Sequence, residues 1–188
     1  MKTFFALIDK LNTYPDEQAQ ISEEIWQTYG CQKAVLALDM SGFSSTVRRE
    51  GIIGYLAKIR QMQCITEPLV LQHQGEVVKY EADNLLAVFD DCQMALEAAL
   101  AISKVCLETG VSIGLDYGQI LHIEHKDCYG DTVNIAFKLG EDIAQKNEIL
   151  ISDNFKQQLQ HNKDFQLLKQ DISISGLSFV AYRVTAKS

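Results

Sequence analysis

The sequence predicts an α+β domain with a ferredoxin-like βαββαβ core and extra strands after it. Short apolar runs, typical of buried strands, alternate with longer segments in which apolar residues recur every three or four positions, as in amphipathic helices. These elements follow the order strand, helix, strand, strand, helix, strand, which is that of the split βαβ arrangement. The 188 residues, of which 47% are hydrophobic, are enough for one domain with a substantial core.

A helical extension precedes this predicted core. Residues 3–12 and 17–29 both have helical patterns, and Pro15 in the segment between them favours a turn. We therefore divide the chain into an N-terminal helical extension, residues 1–33, and a main domain, residues 34–188.

The core begins with a strand, a long helix and a hairpin. The run "AVLALDM", residues 34–40, is a short apolar segment ended by an acid, which is typical of a buried strand. A helical pattern follows over residues 46–73, and we expect Pro68 to bend or interrupt it. "EVVKY" and "NLLAVF" then indicate two strands joined by the tight segment "EAD".

The second half of the core adds two helices and further strands. Residues 92–109 have a helical pattern, and Gly110 marks the end of that helix. "VSIGLDYGQILHI" predicts another pair of strands, "DTVNIAFKLGEDIAQ" a helix and "EILIS" a strand.

The predicted strand order brings two acidic residues together. The third strand lies between the first and second and runs antiparallel to the first, so the end of strand one adjoins the start of strand three. Asp39 and Asp83 should therefore meet there. Converging carboxylates repel unless a cation lies between them or one is protonated. Alternatively both are exposed turn acids, because aspartate is a favoured turn residue.

Charge and composition argue against several classes of function. The net charge of -8 and the isoelectric point near 5.0 provide no basic footprint for nucleic acid or an anionic membrane. The five cysteines include no CxxC pair, so neither a zinc site nor a disulfide framework is indicated. Since no apolar run has the length of a signal-peptide core or a membrane span, we expect a cytoplasmic protein.

The sequence does not predict a zinc site at His122 and His125. No cysteine or second metal-like pair lies near them, and at strand spacing their side chains would point to opposite faces. A phosphate-binding GxxxxGK[ST] loop, a GxGxxG motif and a nucleophile elbow are also missing from the sequence.

Three segments resemble the catalytic domain of the class III adenylyl and guanylyl cyclases. They are "LALDMSGFSS", "GEVVKYEADNLLAVF" and "DCYGDTVNIAFKLGEDIAQKNEILIS", in this order and at suitable separations, and the resemblance covers roughly residues 34 to 184. It implies the class III nucleotidyl cyclase fold, with "DISISGLSFVAYRV" as its closing strand pair. It also implies cyclisation of a nucleoside triphosphate with release of pyrophosphate.

The resemblance implies metal ligands and base-recognition residues. Asp39 and Asp83 match the family's two metal-binding aspartates, which would hold two Mg²⁺ or Mn²⁺ ions per active site, with the main-chain carbonyl of Met40 as a further ligand. Lys79 stands where adenylyl cyclases have a lysine that contacts adenine. Asp127 stands where adenine-selective members have an aspartate that accepts from the exocyclic amine. As isolated residues, both could also be solvated surface charges.

Two residues of the third segment complete the implied site. Asn134 and Lys138 are four positions apart on a predicted helix, so both side chains project from one face. Asn134 matches an asparagine that orients the ribose, whereas Lys138 replaces an arginine that stabilises charge on the α-phosphate. Lysine keeps the charge but lacks the planar, multi-donor fork. Ser175 stands where a lysine is common, so one phosphate-binding cation is lost unless another residue replaces it.

These matches predict a stand-alone adenylate cyclase that converts ATP to cyclic AMP and pyrophosphate in a homodimer. In the family, the metal aspartates of one protomer face the base-recognition and transition-state residues of the other. The alternatives are a nucleotide-binding regulatory module with weakened catalysis, a cyclase for another nucleoside triphosphate, and a ferredoxin-like scaffold for nucleic acid. The sequence has neither the RNP-type aromatic motif nor the positive charge that a nucleic-acid scaffold needs. We therefore expect no nucleic acid or membrane partner.

Overall fold

One mixed sheet forms the centre of the protein. The computed structural model describes residues 1–40, 43–160, 165–174 and 177–186. The strands are β1 (Gly30–Met40), β2 (Glu76–Glu81), β3 (Asn84–Phe89), β4 (Val111–Ile123), β5 (Asp127–Tyr129), β6 (Ile149–Ser152), β7 (Phe165–Ile174) and β8 (Leu177–Ala186). They are arranged in the order β2-β3-β1-β4-β6-β8-β7, and β5 pairs with β4.

Helices cover both faces of the sheet. They are α1 (Lys2–Thr13), α2 (Gln18–Tyr29), α3 (Phe43–Gln72), α4 (Cys92–Val105), α5 (Asp131–Phe137) and α6 (Asp153–Gln158). A 3₁₀ turn at Pro15–Glu17 precedes α2, and a π-helical segment, Lys138–Ile143, continues α5. Within the described ranges, no helix combines the length and the apolar character that a membrane span needs.

The predicted core order is confirmed. β3 lies between β2 and β1 and is antiparallel to both, while β4 pairs with the other edge of β1. The further strands extend this sheet: β6 runs parallel to β4, and β8 and β7 follow as an antiparallel pair. The α+β class and the extra C-terminal strands are therefore as the sequence indicated.

β1 is buried on both of its faces. Leu36 and Leu38 point towards α3 and α4, in a cluster that includes Met62 of α3. Val35 and Ala37 point to the opposite side, where they join side chains of α5 and β5. We call this second side the α5 face. Each fully buried leucine or valine contributes about 1.5–3 kcal/mol to stability, so this strand anchors both layers.

The leading helices pack on the far end of β4. Phe4 and Leu7 of α1 and Ile21 and Ile25 of α2 enclose Ile123 of β4. The first strand begins at the residue after α2, because the chain passes directly from Tyr29 into β1. A Cβ at the connecting glycine, residue 30, would lie 2.4 Å from the main-chain oxygen of Trp26, so only glycine fits there.

The break in α3 lies at Gly51 and not at Pro68. Gly51 has φ 76° and ψ 169°, a backbone conformation that residues with a Cβ rarely adopt. The chain is helical from the next residue to Gln72, so the predicted interruption at Pro68 is wrong. The proline removes one hydrogen bond from the helix but does not end it.

The segment "VSIGLDYGQILHI" forms one long strand, and the predicted strand pair is wrong. Residues 111–121 of β4 pair continuously with all of β1. Gly114 does not mark a turn but allows a close approach, because a Cβ there would lie 2.1 Å from the oxygen of Ala136 and 2.4 Å from the nitrogen of Gly140. Because Gly114 has no side chain, the main chain of α5 and of the π-helical segment packs directly against β4.

Other helix boundaries also differ from the prediction. The helix predicted over residues 92–109 ends at Val105, and α5 changes to the wider π-helical winding at Lys138. The short helix α6 follows β6 directly and was not predicted; its N-cap, Ser152, accepts a hydrogen bond from the Phe155 N–H at 3.1 Å.

Candidate active site

Asp39 and Asp83 lie together at one end of the central strands. Asp39 pairs across the sheet with Asn84, the residue that follows Asp83. Both aspartates are half-buried, which argues against two fully exposed turn acids. Burial, together with the negative charges of Asp83 and Glu141, raises the pKa of Asp39 to about 6.

Two side chains that the sequence did not single out complete this region. The hydroxyl of Tyr55, on α3, donates a hydrogen bond of 2.7 Å to Oδ2 of Asp83. Glu141, in the π-helical segment, accepts a hydrogen bond from the side-chain amide of Asn84. Burial and the charges of Asp142 and Asp83 raise the pKa of Glu141. Its position three residues after Lys138, almost one helical turn, was the only sequence signal available.

We refer to Asp39, Asp83 and Glu141 as the acidic cluster. Its donor set suits a hard divalent cation, because Mg²⁺ and Mn²⁺ prefer oxygen ligands. Oδ1 of Asn84 is also buried there and accepts no hydrogen bond from any described residue. The main chain of Met40 adjoins the cluster, and its hydrogen bond to Asp39 partly offsets the rise in pKa. The site therefore fits the chemistry of a metal ion.

A β-bulge turns Lys79 onto the α5 face. Lys79 pairs with Leu86 and Val77 with Ala87, so Val78 is the extra residue in β2. Without the bulge, the alternation of a strand would point Lys79 to the same side as Val77, towards α3 and α4. With the bulge, it shares the side of Leu86.

Lys79 and Asp127 are in direct contact. Nζ of Lys79 lies 3.0 Å from Oδ1 of Asp127, on β5, and 3.4 Å from Glu81. Burial lowers the pKa of Lys79, but the hydrogen bonds to these two carboxylates outweigh burial and raise it. Asp127 is held further by the hydroxyl of Tyr129, which donates to Oδ2 at 3.0 Å. Glu81, for which the sequence indicated no role, is thus an exposed partner of Lys79.

Asn134 and Lys138 line one surface depression. Glu141 and Asp142 line it too, so the expected common face is present even though Lys138 begins the π-helical segment. Asn134 is exposed and Lys138 half-buried. Among the described residues, no hydrogen bond or ion pair joins either side chain to the acidic cluster or to Lys79. Ser175 lies outside the described residues.

The two histidines of "HIEHKD" do not point to opposite faces, and that prediction is wrong. β4 ends at Ile123, and the next two residues have positive φ, 49° at Glu124 and 56° at His125. The chain therefore turns before the second histidine. The ring centroids of His122 and His125 lie 5.1 Å apart, and the two rings pack edge to face.

Two curated adenylate cyclases are similar to the chain in sequence. One, from Rhizobium meliloti (strain 1021), is named "Putative adenylate cyclase 3" and is 27% identical over 145 residues, which are 72% of this chain and 24% of that protein. The other, an adenylate cyclase from Streptomyces coelicolor, is 28% identical over 137 residues, 70% of this chain and 35% of that protein. The chain thus spans about a quarter to a third of these relatives. No protein-family model matches it.

Solved cyclase structures share the fold. The catalytic core of a rhodopsin-guanylyl cyclase with converted specificity, in complex with ATPalphaS, has a TM-score of 0.75 at 23% identity over 85% of this chain and 97% of that one. The adenylyl cyclase CyaB from P. aeruginosa has a TM-score of 0.73 at 16% identity over 85% of this chain and 97% of that one.

A third structure comes closer in sequence. The adenylate/guanylate cyclase/hydrolase from Silicibacter pomeroyi has a TM-score of 0.71 at 26% identity, covering 84% of this chain and 98% of that one. The resemblance inferred from the three sequence motifs is therefore confirmed. The chain has the fold of the class III adenylyl and guanylyl cyclase catalytic domains and resembles adenylate cyclases in sequence.

Proposed function

We propose that this domain is an adenylate cyclase that converts ATP to 3′,5′-cyclic AMP and pyrophosphate at a homodimer interface. The ribose 3′-oxygen forms a bond to the α-phosphorus, and the bond from that phosphorus to the bridging oxygen breaks. Pyrophosphate leaves with the electron pair of the broken bond. The proton of the 3′-hydroxyl passes to solvent.

The acidic cluster is the proposed metal site. Asp39 and Asp83 would hold two Mg²⁺ or Mn²⁺ ions, with the carbonyl of Met40 as a further ligand. Such ions, when bound, supply positive charge that polarises the 3′-hydroxyl and offsets the charge of the polyphosphate. Tyr55 supports this assignment because its hydrogen bond fixes the carboxylate of Asp83.

Lys79 and Asp127 are the proposed adenine-recognition pair. Adenine presents a ring-nitrogen acceptor beside an amino donor, and an ammonium 3.0 Å from a carboxylate offers the complementary groups side by side. A half-buried polar pair of this kind disfavours a base that leaves one partner unsatisfied. The names of the two curated relatives also favour ATP as the substrate.

Asn134 and Lys138 are the proposed ribose and α-phosphate residues. The exposed amide of Asn134 can orient the ribose. The half-buried ammonium of Lys138, in the same depression, can stabilise the negative charge that develops on the α-phosphate. Because lysine presents a point charge and not a planar fork, we expect slower turnover than an arginine would give.

The convergence of Asp39 and Asp83, with the raised pKa of Asp39, carries the proposal. It is tested by incubating the purified protein separately with ATP, GTP, CTP and UTP, in Mg²⁺ and in Mn²⁺, and identifying products by liquid chromatography and mass spectrometry. We expect cyclic AMP from ATP. We also expect product to fall to background in Asp39→Ala and Asp83→Ala, because each removes a ligand oxygen of the metal site.

The same assay separates the alternatives. Full activity in either aspartate variant contradicts the two-metal site. Cyclic GMP as the main product contradicts the adenine pair. Absence of any cyclic product from wild-type protein that still binds ATP favours a nucleotide-binding regulatory module, for which the lysine at position 138 is the specific observation.

A further inference from the structure

A second group of metal-ligating side chains lies away from the acidic cluster. It consists of Glu76, the first residue of β2, His122, near the end of β4, and His125, in the turn that follows. Glu76 is distant in sequence from the two histidines, which are three positions apart, and the positive φ at Glu124 and His125 turns the second imidazole back towards the first. Each residue offers one ligand atom, and these atoms all lie within 4.8 Å of one another.

The distances suit a single ion. Oε1 of Glu76 lies 3.3 Å from Nε2 of His122 and 2.7 Å from Nδ1 of His125. Zinc bonds to nitrogen and oxygen are roughly 2.0–2.2 Å long, so tetrahedral ligands stand roughly 3–3.5 Å apart. The 2.7 Å distance between Glu76 and His125 has to increase only slightly for an ion to bind between them. The side chain of His125 is exposed and can make that movement.

His122 supplies a second indication of a ligand. Its side chain is 11% exposed, and its buried Nε2 lies 3.3 Å from Oε1 of Glu76 without the geometry of a hydrogen bond to any described residue. Buried polar atoms are rarely left without a partner.

The donor set points to one class of ion. Two imidazoles and one carboxylate are a common three-ligand set for Zn²⁺, with a fourth position left for water, whereas Mg²⁺ favours oxygen ligands alone. We propose that Glu76, His122 and His125 form a binding site for Zn²⁺ or a similar transition-metal ion, separate from the acidic cluster.

Such an ion would join β2 to the β4–β5 hairpin. These are the elements that carry Lys79 and Asp127, since Lys79 lies three residues after Glu76 and Asp127 two residues after His125. If the proposed function holds, the ion would therefore fix the spacing of the adenine-recognition pair. The metal site itself does not depend on that function.

The test measures metal binding and stability without reference to catalysis. The chelator-treated 188-residue chain is titrated with Zn²⁺ by calorimetry in excess Mg²⁺, and with Co²⁺ by visible absorption, because tetrahedral Co²⁺ reports its ligands spectroscopically. We expect one Zn²⁺ site per chain that raises the melting temperature. In His125→Gln and Glu76→Gln the affinity should fall by more than about tenfold, the loss that even outer-shell changes cause.

Two controls separate this site from the others. His73→Gln removes a histidine whose Nδ1 already contacts the Leu69 carbonyl, and Asp39→Asn alters the acidic cluster; both should leave Zn²⁺ affinity unchanged. His125 is exposed, so its variant should fold normally. Unchanged affinity in both His125→Gln and Glu76→Gln, or no Zn²⁺ binding by the wild-type protein, would overturn the proposal, while activity in the cyclase assay bears only on the proposed function.

Discussion

At the scale of single residues, the candidate site holds negative charge that the described protein groups do not neutralise. Asp39 and Glu141 both have raised pKa values, burial being the largest cause in each case. Lys138, one turn before Glu141, makes no ion pair with a described residue. These features support the roles proposed above, in which the acidic cluster binds divalent cations and Lys138 contacts the α-phosphate.

Lys138→Arg should raise kcat for ATP cyclisation by up to about tenfold, or about 1.4 kcal/mol of transition-state stabilisation. Arginine presents several donors in one plane to the α-phosphate oxygens, whereas KM should change little because the charge is kept. Steady-state kinetics with Mn²⁺–ATP measures both constants. Lys138→Gln is the matched control and should be slower than wild type. An arginine variant no faster than wild type would contradict the assigned role.

Asp116, which lies outside the candidate site, gives a prediction about how the stability of the fold depends on pH. It is 3% exposed on β4, where Ser152 donates a hydrogen bond to it. Burial raises the pKa of Asp116 from 3.8 to about 6. Since the folded state binds this proton more tightly than the unfolded state, Asp116 stabilises the fold most below pH 4, and that contribution is lost as the pH rises through about 6.

Asp116→Asn should therefore increase the free energy of unfolding, relative to wild type, as the pH rises. A shift from 3.8 to about 6 corresponds to about 3 kcal/mol, and this gain should be present at pH 8 and small at pH 4. Urea denaturation at several pH values measures it. A difference between the two proteins that does not vary with pH would show that the carboxyl group does not titrate in this range.

At the scale of elements, the strand order and the meeting of Asp39 with Asp83 could be predicted from the sequence, because alternating strand and helix patterns determine a split βαβ core. The orientation of Lys79 could not be predicted. Whether a strand contains a bulge depends on its partner strand, and Val78 lies within an apolar pair that fits either register. The turn that joins His122 to His125 was missed for a similar reason, since positive φ at Glu124 is not evident from its residue type.

The close contact between α5 and β4 at Gly114 gives a prediction about stability. Gly114→Ala places a methyl group against the main chain of Ala136 and Gly140, which cannot move independently of α5. We expect a loss of about 1–3 kcal/mol in the free energy of unfolding, measured by urea denaturation. The helix that carries Asn134 should shift as well, so the proposed cyclase activity should fall.

Gly54→Ala is the matched control. Gly54 lies in α3, and a Cβ there would approach only the side chain of Glu50, at 3.1 Å. Alanine favours helix over glycine by about 1 kcal/mol, so this variant should be as stable as wild type or more stable. Equal losses in the two variants would show that the contact between Gly114 and α5 is not the cause.

At the scale of the whole molecule, the candidate groups fall into two sets within one chain. Asp39 and Asp83 form one set, and Lys79, Asp127, Asn134 and Lys138 the other, while Glu141 adjoins both sets. Among the described residues, no hydrogen bond or ion pair connects the two sets. In the proposed homodimer, each active site takes Asp39 and Asp83 from one protomer and the second set from the other, so that two sites form about the symmetry axis.

Subunit mixing tests this arrangement directly. Asp83→Asn and Asn134→Ala should each be nearly inactive alone, because each homodimer carries the same defect in both sites. When the two variants are co-expressed in equal amounts, half of the dimers are mixed, and each mixed dimer has one site free of both substitutions. Activity should then recover to about a quarter of the wild-type value. Co-expression of Asp39→Asn with Asp83→Asn is the control: every site in those dimers keeps a damaged acidic cluster, so no recovery is expected. If the first pair recovers no more than the control pair, each active site is built from a single chain.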